Sequence, residues 1–375
     1  GAGDDVVQIA GGKLRTGSLA KLYAGAGEDT LLFDPSGRPV DPPEPVIPEE
    51  RSLADDILNM LSRLNICSGE FKARQYDHEV KGLSVVKPYV GVRRNVQSDA
   101  TVSMVRPMSR EGVILACGIA PRYSDIDTYH MMASVIDMAV RRTLAVGGTR
   151  ERIAGLDNFC WPDPVRSPSN PDGDFKAAQL VRANMALYDY TKAFGGPLIS
   201  GKDSMKNDST IGGEKISIPP TVLFSTLARM KDITKAVTLD AKRAGDLVYV
   251  LGETRPELGG SEFYAMLGAV GSTVPRVDAN TALELYERVE RLTDRGLCHS
   301  LHSPGLGGLA TGFAKIVIGG QLGLEIDVTQ VPAAEGMTWR EILFSESNSR
   351  FVMTVSRSAG EEVERILDGV SYRSE

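Results

Sequence analysis

Residues 196–208, GPLISGKDSMKND, hold the densest set of groups able to do chemistry. Gly201 has no Cβ, so a ligand can approach its backbone closely. Lys202 offers a point charge suited to phosphate. Asp203 and Ser204 offer oxygens that suit Mg²⁺ or a substrate hydroxyl. The apolar run Leu198-Ile199-Ser200 reads as a short strand entering this group. It predicts a backbone bend at Gly201 that faces a cleft and meets a phosphorylated small molecule. Residues 196–202 also fit G-x-x-x-x-G-K, the start of a P-loop. The eighth position is Asp203, where that motif needs a metal-binding hydroxyl, and the strand lies between the two glycines instead of before them. These two mismatches argue against a P-loop. The plain alternative is a Gly-rich turn with a solvated lysine.

Other candidates are thinner. Asp157-Asn158 follow an apolar strand, where α/β folds place ligand groups, or they form a turn. Gly259-Gly260-Ser261-Glu262 lie between a strand and a helix. They read either as a phosphate-accepting helix start or as an ordinary N-cap at Ser261. Asp99, in QSDATV, is a candidate metal ligand or a turn cap. Tyr76-Asp77-His78-Glu79 orient a ligand or belong to a solvated strand. Residues 305–310 fit G-x-G-x-x-G/A, but residues 299–304 make a poor strand and no suitable acid follows, so a Gly-rich helix entry is the better reading.

The elements that must position these groups alternate between strand and helix. The chain has 375 residues, 42% hydrophobic and 24% charged, with net charge −7. That suffices for about two domains and a normal core, and an acidic chain without a dense basic block argues against nucleic acid. No apolar run reaches a membrane span. The start lacks the basic and apolar stretches of a signal peptide. The four cysteines, Cys67, Cys117, Cys160 and Cys298, are scattered without C-x-x-C spacing, which predicts reduced thiols in a cytoplasmic protein. Residues 1–50 read as a leader or linker because 34–50 are rich in proline and acid. Helices are expected near 53–65, 131–146, 175–194, 280–295, 309–319 and 360–367. Strands are expected near 85–92, 100–105, 113–119, 153–161, 221–230, 247–253, 323–328 and 350–355. Division at 51–235 and 236–375 gives two α/β or α+β domains. Residues 371–375 follow a helix where a closing strand is expected, which reads as truncation.

Taken in order, RQYDHEVKG, KPYVGV, QSDATV, LAVGG, LDNFCWPDP, GKDSMKND, GETRPELGGSEF and LFSESNSRF resemble the second half of the phosphoribosylformylglycinamidine synthase family. Its synthetase contains two halves similar to aminoimidazole ribonucleotide (AIR) synthetase. The resemblance implies an N-terminal half-barrel domain and a C-terminal mixed-sheet domain. It also implies an ATP-dependent C–N ligase: formylglycinamide ribonucleotide, activated by ATP with Mg²⁺, accepts glutamine-derived ammonia and yields formylglycinamidine ribonucleotide, ADP and phosphate. Gly201, Lys202, Asp203 and Ser204 would match the loop that touches nucleotide, metal and substrate, with Lys202 better suited to phosphate than to metal. Asp157, Asn158, Gly259, Gly260 and Ser261 would fall in nucleotide or substrate contacts, and Asp99 would match a metal-binding acid. No catalytic residue is assigned to this half. The implied partners are the first half of the synthetase, or a second copy through the half-barrel, and a glutaminase subunit or domain. Three departures stand out. Met138 and Arg142 replace Glu and Asn on the long helix, and residues 302–309 lack both acids of the H-D-x-S-D-G-G-L turn, with Ser303 at the first. An auxiliary metal-nucleotide site would be degraded there. The fragment alone is expected not to turn over.

Overall fold

The computed structural model describes residues 44–48, 50–75 and 79–374, with four two-residue strand fragments between Gln8 and Val40. The expected leader or linker at 1–50 falls largely outside the described residues, as do Tyr76, Asp77 and His78.

Six strands form the first sheet: β1 (Ser84–Val86), β2 (Thr101–Met104), β3 (Gly112–Gly118), β4 (Ile153–Cys160), β5 (Leu198–Ser204) and β6 (Thr221–Met230). Their spatial order is β5-β4-β6-β3-β2-β1. Only the β4–β5 pair is parallel. Alternation sorts the residues of each strand onto opposite faces. On β6, Val222, Phe224, Thr226, Ala228 and Met230 are buried, as are Ile114 and Ala116 on β3. Helices α2 (Thr128–Ala145) and α3 (Gly173–Phe194) cover that face. The other face carries Leu156, Leu223 and Leu227, half-buried, and Leu115, 53% exposed.

Local signals explain the helices. Helix α1 (Leu53–Ser62) is capped by Ser52, whose Oγ accepts from the Asp55 N–H at 3.3 Å. Its apolar residues are only partly used: Met60 is buried, while Leu58 is exposed. Asp127 caps α2 by accepting from the Tyr129 and His130 N–H groups at 2.8 and 3.1 Å. Helix α3 ends at Gly195, φ 68°, a left-handed C-cap that glycine adopts without a Cβ clash.

The second sheet contains β7 (Leu247–Leu251), β8 (Cys298–His302), β9 (Phe351–Val355) and β10 (Tyr372–Ser374), in the order β8-β9-β7-β10, all antiparallel. Here both faces are covered. Tyr249, Leu251, Phe351, Met353 and Val355 pack with α4 (Ala279–Asp294) and α6 (Gly360–Leu367) in the core that also fills the first unit. Val250 and Val352 turn the opposite way, toward α5 (Gly308–Gly320) and a second core around Phe263, Phe313 and Phe344. Helix α2 joins the units. Its Asp137 accepts from the Ser349 N–H at 3.0 Å, from the Ser349 hydroxyl at 2.9 Å and from the Tyr286 hydroxyl, and it pairs with the fully buried Arg141 at 3.3 Å.

Two expectations fail. Residues 323–328 form no strand and lead into a 3₁₀ turn. Residues 299–304, read as a poor strand, hold most of β8. At the other end of the unit, where a closing strand is expected, Tyr372–Ser374 pairs with Leu251–Tyr249 of β7.

Candidate functional site

The bend expected at Gly201 is absent. Residues 198–204 run straight through as β5, the edge of the first sheet, because β4 offers a continuous parallel partner. The register places Gly201 beside Asp157 and Lys202 beside Asn158. Four expected residues are thereby brought together, but strand alternation divides them. Asp157 lies opposite the buried Phe224 on the helix-covered face, and Asn158 lies opposite Leu223 on the open face. Gly201 and Asp203 go with Asp157; Lys202 and Ser204 go with Asn158.

Each face has its own chemistry. A Cβ at Gly201 would stand 2.9 Å from Asp157 Oδ1, so the carboxylate lies across the glycine. Burial, and secondarily the charge of Asp203, raises the Asp157 pKa. On the open face Lys202 is exposed, and the buried Asn158 Oδ1 accepts no hydrogen bond. The Ser204 hydroxyl donates to Asn207 Oδ1 at 3.0 Å, and Asn207 Nδ2 donates back to the Ser204 carbonyl at 2.6 Å. The strand's outer backbone edge meets no further strand of this sheet.

Gly259, Gly260 and Ser261 each have a packing or capping role. Ser261 caps the short helix Glu262–Met266 by accepting from the Tyr264 N–H at 3.2 Å. A Cβ at Gly259 would meet the Thr273 backbone at 2.7 Å, and one at Gly260, φ 70°, the Arg122 carbonyl at 2.9 Å. The anion at this helix start is internal. Glu346 accepts from the Glu262 N–H at 2.9 Å, the Gly307 N–H at 2.7 Å and the Tyr123 hydroxyl at 2.5 Å. Burial pushes its carboxyl up to about 7. The sequence signalled Glu346 only as a letter of LFSESNSRF, because its partners lie far away along the chain.

Asp99 lies in a different setting from a metal ligand. It accepts from His302 Nδ1 at 2.8 Å and from the Ser303 N–H at 3.2 Å. Burial alone would raise its pKa, but His302, Arg142 and Lys315 outweigh that and hold it below the usual value. Burial keeps His302 neutral, so its Nδ1–H donates to the carboxylate. The Lys315 ammonium is pushed down to about 8, chiefly by burial and then by Arg142. Arg142 donates to the Cys117 carbonyl at 2.7 Å. Met138 and Arg142 both lie against Gly305: a Cβ there would be 3.6 Å from Arg142 Nη2 and from Met138 Cε. One carboxylate, two cations and a thioether do not fit Mg²⁺, which needs several oxygens. Among the described residues no cluster of three acidic, His or Cys side chains could hold a metal.

The comparisons agree with this architecture. Residues 243–373, which hold nearly all of the second sheet and its helices, match the family described as AIR synthase related protein, C-terminal domain. Over 340 residues, 91% of this chain, the sequence is 31% identical to the phosphoribosylformylglycinamidine synthase subunit PurL of Thermococcus sibiricus, and the match covers 44% of that protein. The chain is thus a relative of the phosphoribosylformylglycinamidine synthase subunits, and it spans under half the length of the curated relatives it matches. In fold it is similar to T. maritima PurL complexed with FGAR (TM-score 0.60, 18% identity, 87% of this chain and 49% of that one). It is likewise similar to T. maritima PurL complexed with ATP (TM-score 0.52, 19% identity, 76% and 42%). Among the described residues no helix is long and apolar enough to cross a membrane.

Proposed function

We propose that this chain is one AIR-synthetase-like half of a phosphoribosylformylglycinamidine synthase. The whole assembly would be an ATP-dependent ligase of purine biosynthesis. It would convert formylglycinamide ribonucleotide and glutamine-derived ammonia to formylglycinamidine ribonucleotide. The observation that carries this reading is the uncovered face of the first sheet. Leu115, Leu156, Leu223 and Leu227 lie on it beside Lys202 and the unpartnered Asn158 amide oxygen. The occupant is a second half-barrel, either the other half of the synthetase or a second copy of this chain, closing over the face and over the β5 edge. A glutaminase subunit or domain would supply ammonia.

In that closed site Lys202 would offset the charge of a phosphate on ATP or on the ribonucleotide, and the Asn158 carbonyl would accept from a substrate N–H or hydroxyl. The contribution is positioning and charge neutralisation, as phosphoryl transfer requires. No residue here is assigned to hold Mg²⁺. A second reading, a structural half that binds no nucleotide, draws support from Arg142 and Met138 at the Asp99 centre. Thermal melts with millimolar ATP and Mg²⁺, with and without the missing half, decide between them, since a bound ligand raises stability by RT ln(1 + [L]/Kd). The lead reading expects a shift in the paired complex. No shift in either preparation would leave the structural reading.

A further inference from the structure

The Asp99 centre is unsuited to a divalent cation, yet it is not a closed ion pair. The charges of Arg142 and Lys315 both act on the single carboxylate of Asp99, and Arg142 Nη2 lies beside Gly305, two residues from Ser303. The centre's donors outnumber its acceptors. The Arg142 Nε is buried without a partner. So are the hydroxyls of Ser303, 1% exposed, and of Ser98, the neighbour of Asp99. Asp99 is already engaged by His302 and the Ser303 N–H. Buried donors without acceptors are rare in folded proteins. An oxyanion brings acceptors of the kind that these donors lack, in charge-assisted form. Gly305 leaves Arg142 Nη2 facing bare backbone.

We propose that Arg142, Lys315 and Ser303 form an oxyanion site that takes a phosphate group directly, the two cations supplying the charge a metal would otherwise bring. The ligand is inorganic phosphate or the terminal phosphate of a nucleotide. This rests on the Asp99 centre and not on the open sheet face.

The test is equilibrium dialysis and thermal melting of the chain against inorganic phosphate and, separately, ADP, each in excess EDTA and again with Mg²⁺. Saturable phosphate binding in EDTA, unchanged by Mg²⁺, is expected. Tighter binding of ADP than of phosphate in EDTA would assign the site to a nucleotide end; the reverse order would assign it to the free ion. The double variant Arg142→Met, Lys315→Met should bind about tenfold more weakly or worse, and Arg142→Lys should retain more affinity than Arg142→Met. Asp99→Asn removes the one negative charge facing the anion and should tighten binding, an outcome that does not depend on the double variant folding. Binding only with Mg²⁺, no saturable binding in either buffer, or weaker binding by Asp99→Asn would overturn the proposal. The sheet-face variants below leave these readouts unchanged, so the two readings fail separately.

Discussion

The two sheets differ in how completely they are covered. In the second, residues alternate between two cores and both faces are buried. In the first, α2 and α3 cover one face, while the other leaves Leu115, 53% exposed, in solvent. Apolar area removed from water is worth about 25 cal/mol per Å², so the second sheet has already gained what the first can gain only on association. The difference separates stability from function. The second sheet is buried on both faces, one of them in a core shared with the first unit, and in the proposed assembly the open face of the first sheet is the one a partner covers.

The contrast can be broken at its strongest point first. Phe351→Ala, at a fully buried position of β9, should cost about 3–5 kcal/mol in chemical denaturation. A cost near zero would mean that the second sheet is not the complete core described here. Leu115→Asp should leave the chain's own stability within about 0.5–1 kcal/mol and abolish pairing with the missing half.

Glu346 tests the junction between the units. Its folded-state pKa, about 7, lies above its ordinary value of 4.5. Between these values the folded protein binds more protons than the unfolded chain. Its contribution to stability is therefore fully present below about pH 4.5 and is lost as pH rises through 7. Glu346→Gln should flatten that decline in a denaturation series from pH 5 to 8; an unchanged slope would remove Glu346 as its source.

Smaller effects sharpen the division of β5. Lys202→Ala should leave the melting temperature of the isolated chain unchanged and weaken nucleotide-dependent stabilisation of the paired complex about tenfold. Gly201→Ala should cost under about 1 kcal/mol, because the contacted atom is the end of the Asp157 side chain. A much larger loss would mean that Asp157 cannot move.

The order of elements was legible because it rests on local signals. Ser52 announces a helix start, and the run 221–230 announces a strand, whereas the helix expected at 131–146 begins earlier, at Thr128 after its cap Asp127. The motif order pointed to the same synthase subunits that the chain matches in sequence. The bend at Gly201 was misread because glycine and polar residues suggest a turn when the neighbouring strand is unknown. Residues 323–328 erred the opposite way, having strand-forming residues but no partner. Asp157 and Asn158 were grouped by adjacency, although neighbours in a strand face opposite ways. The hydrogen-bond partners of Asp99, His302 and Ser303, lie more than two hundred positions away, so its surroundings could not be read from QSDATV.

Light scattering on the chain mixed with the polypeptide that supplies the missing half addresses the open sheet face most directly. A stable one-to-one complex that Leu115→Asp abolishes, with the variant's fold intact, is the predicted result. Equal pairing by wild type and variant would contradict it, since the face carrying Leu115 would then take no part in the interface.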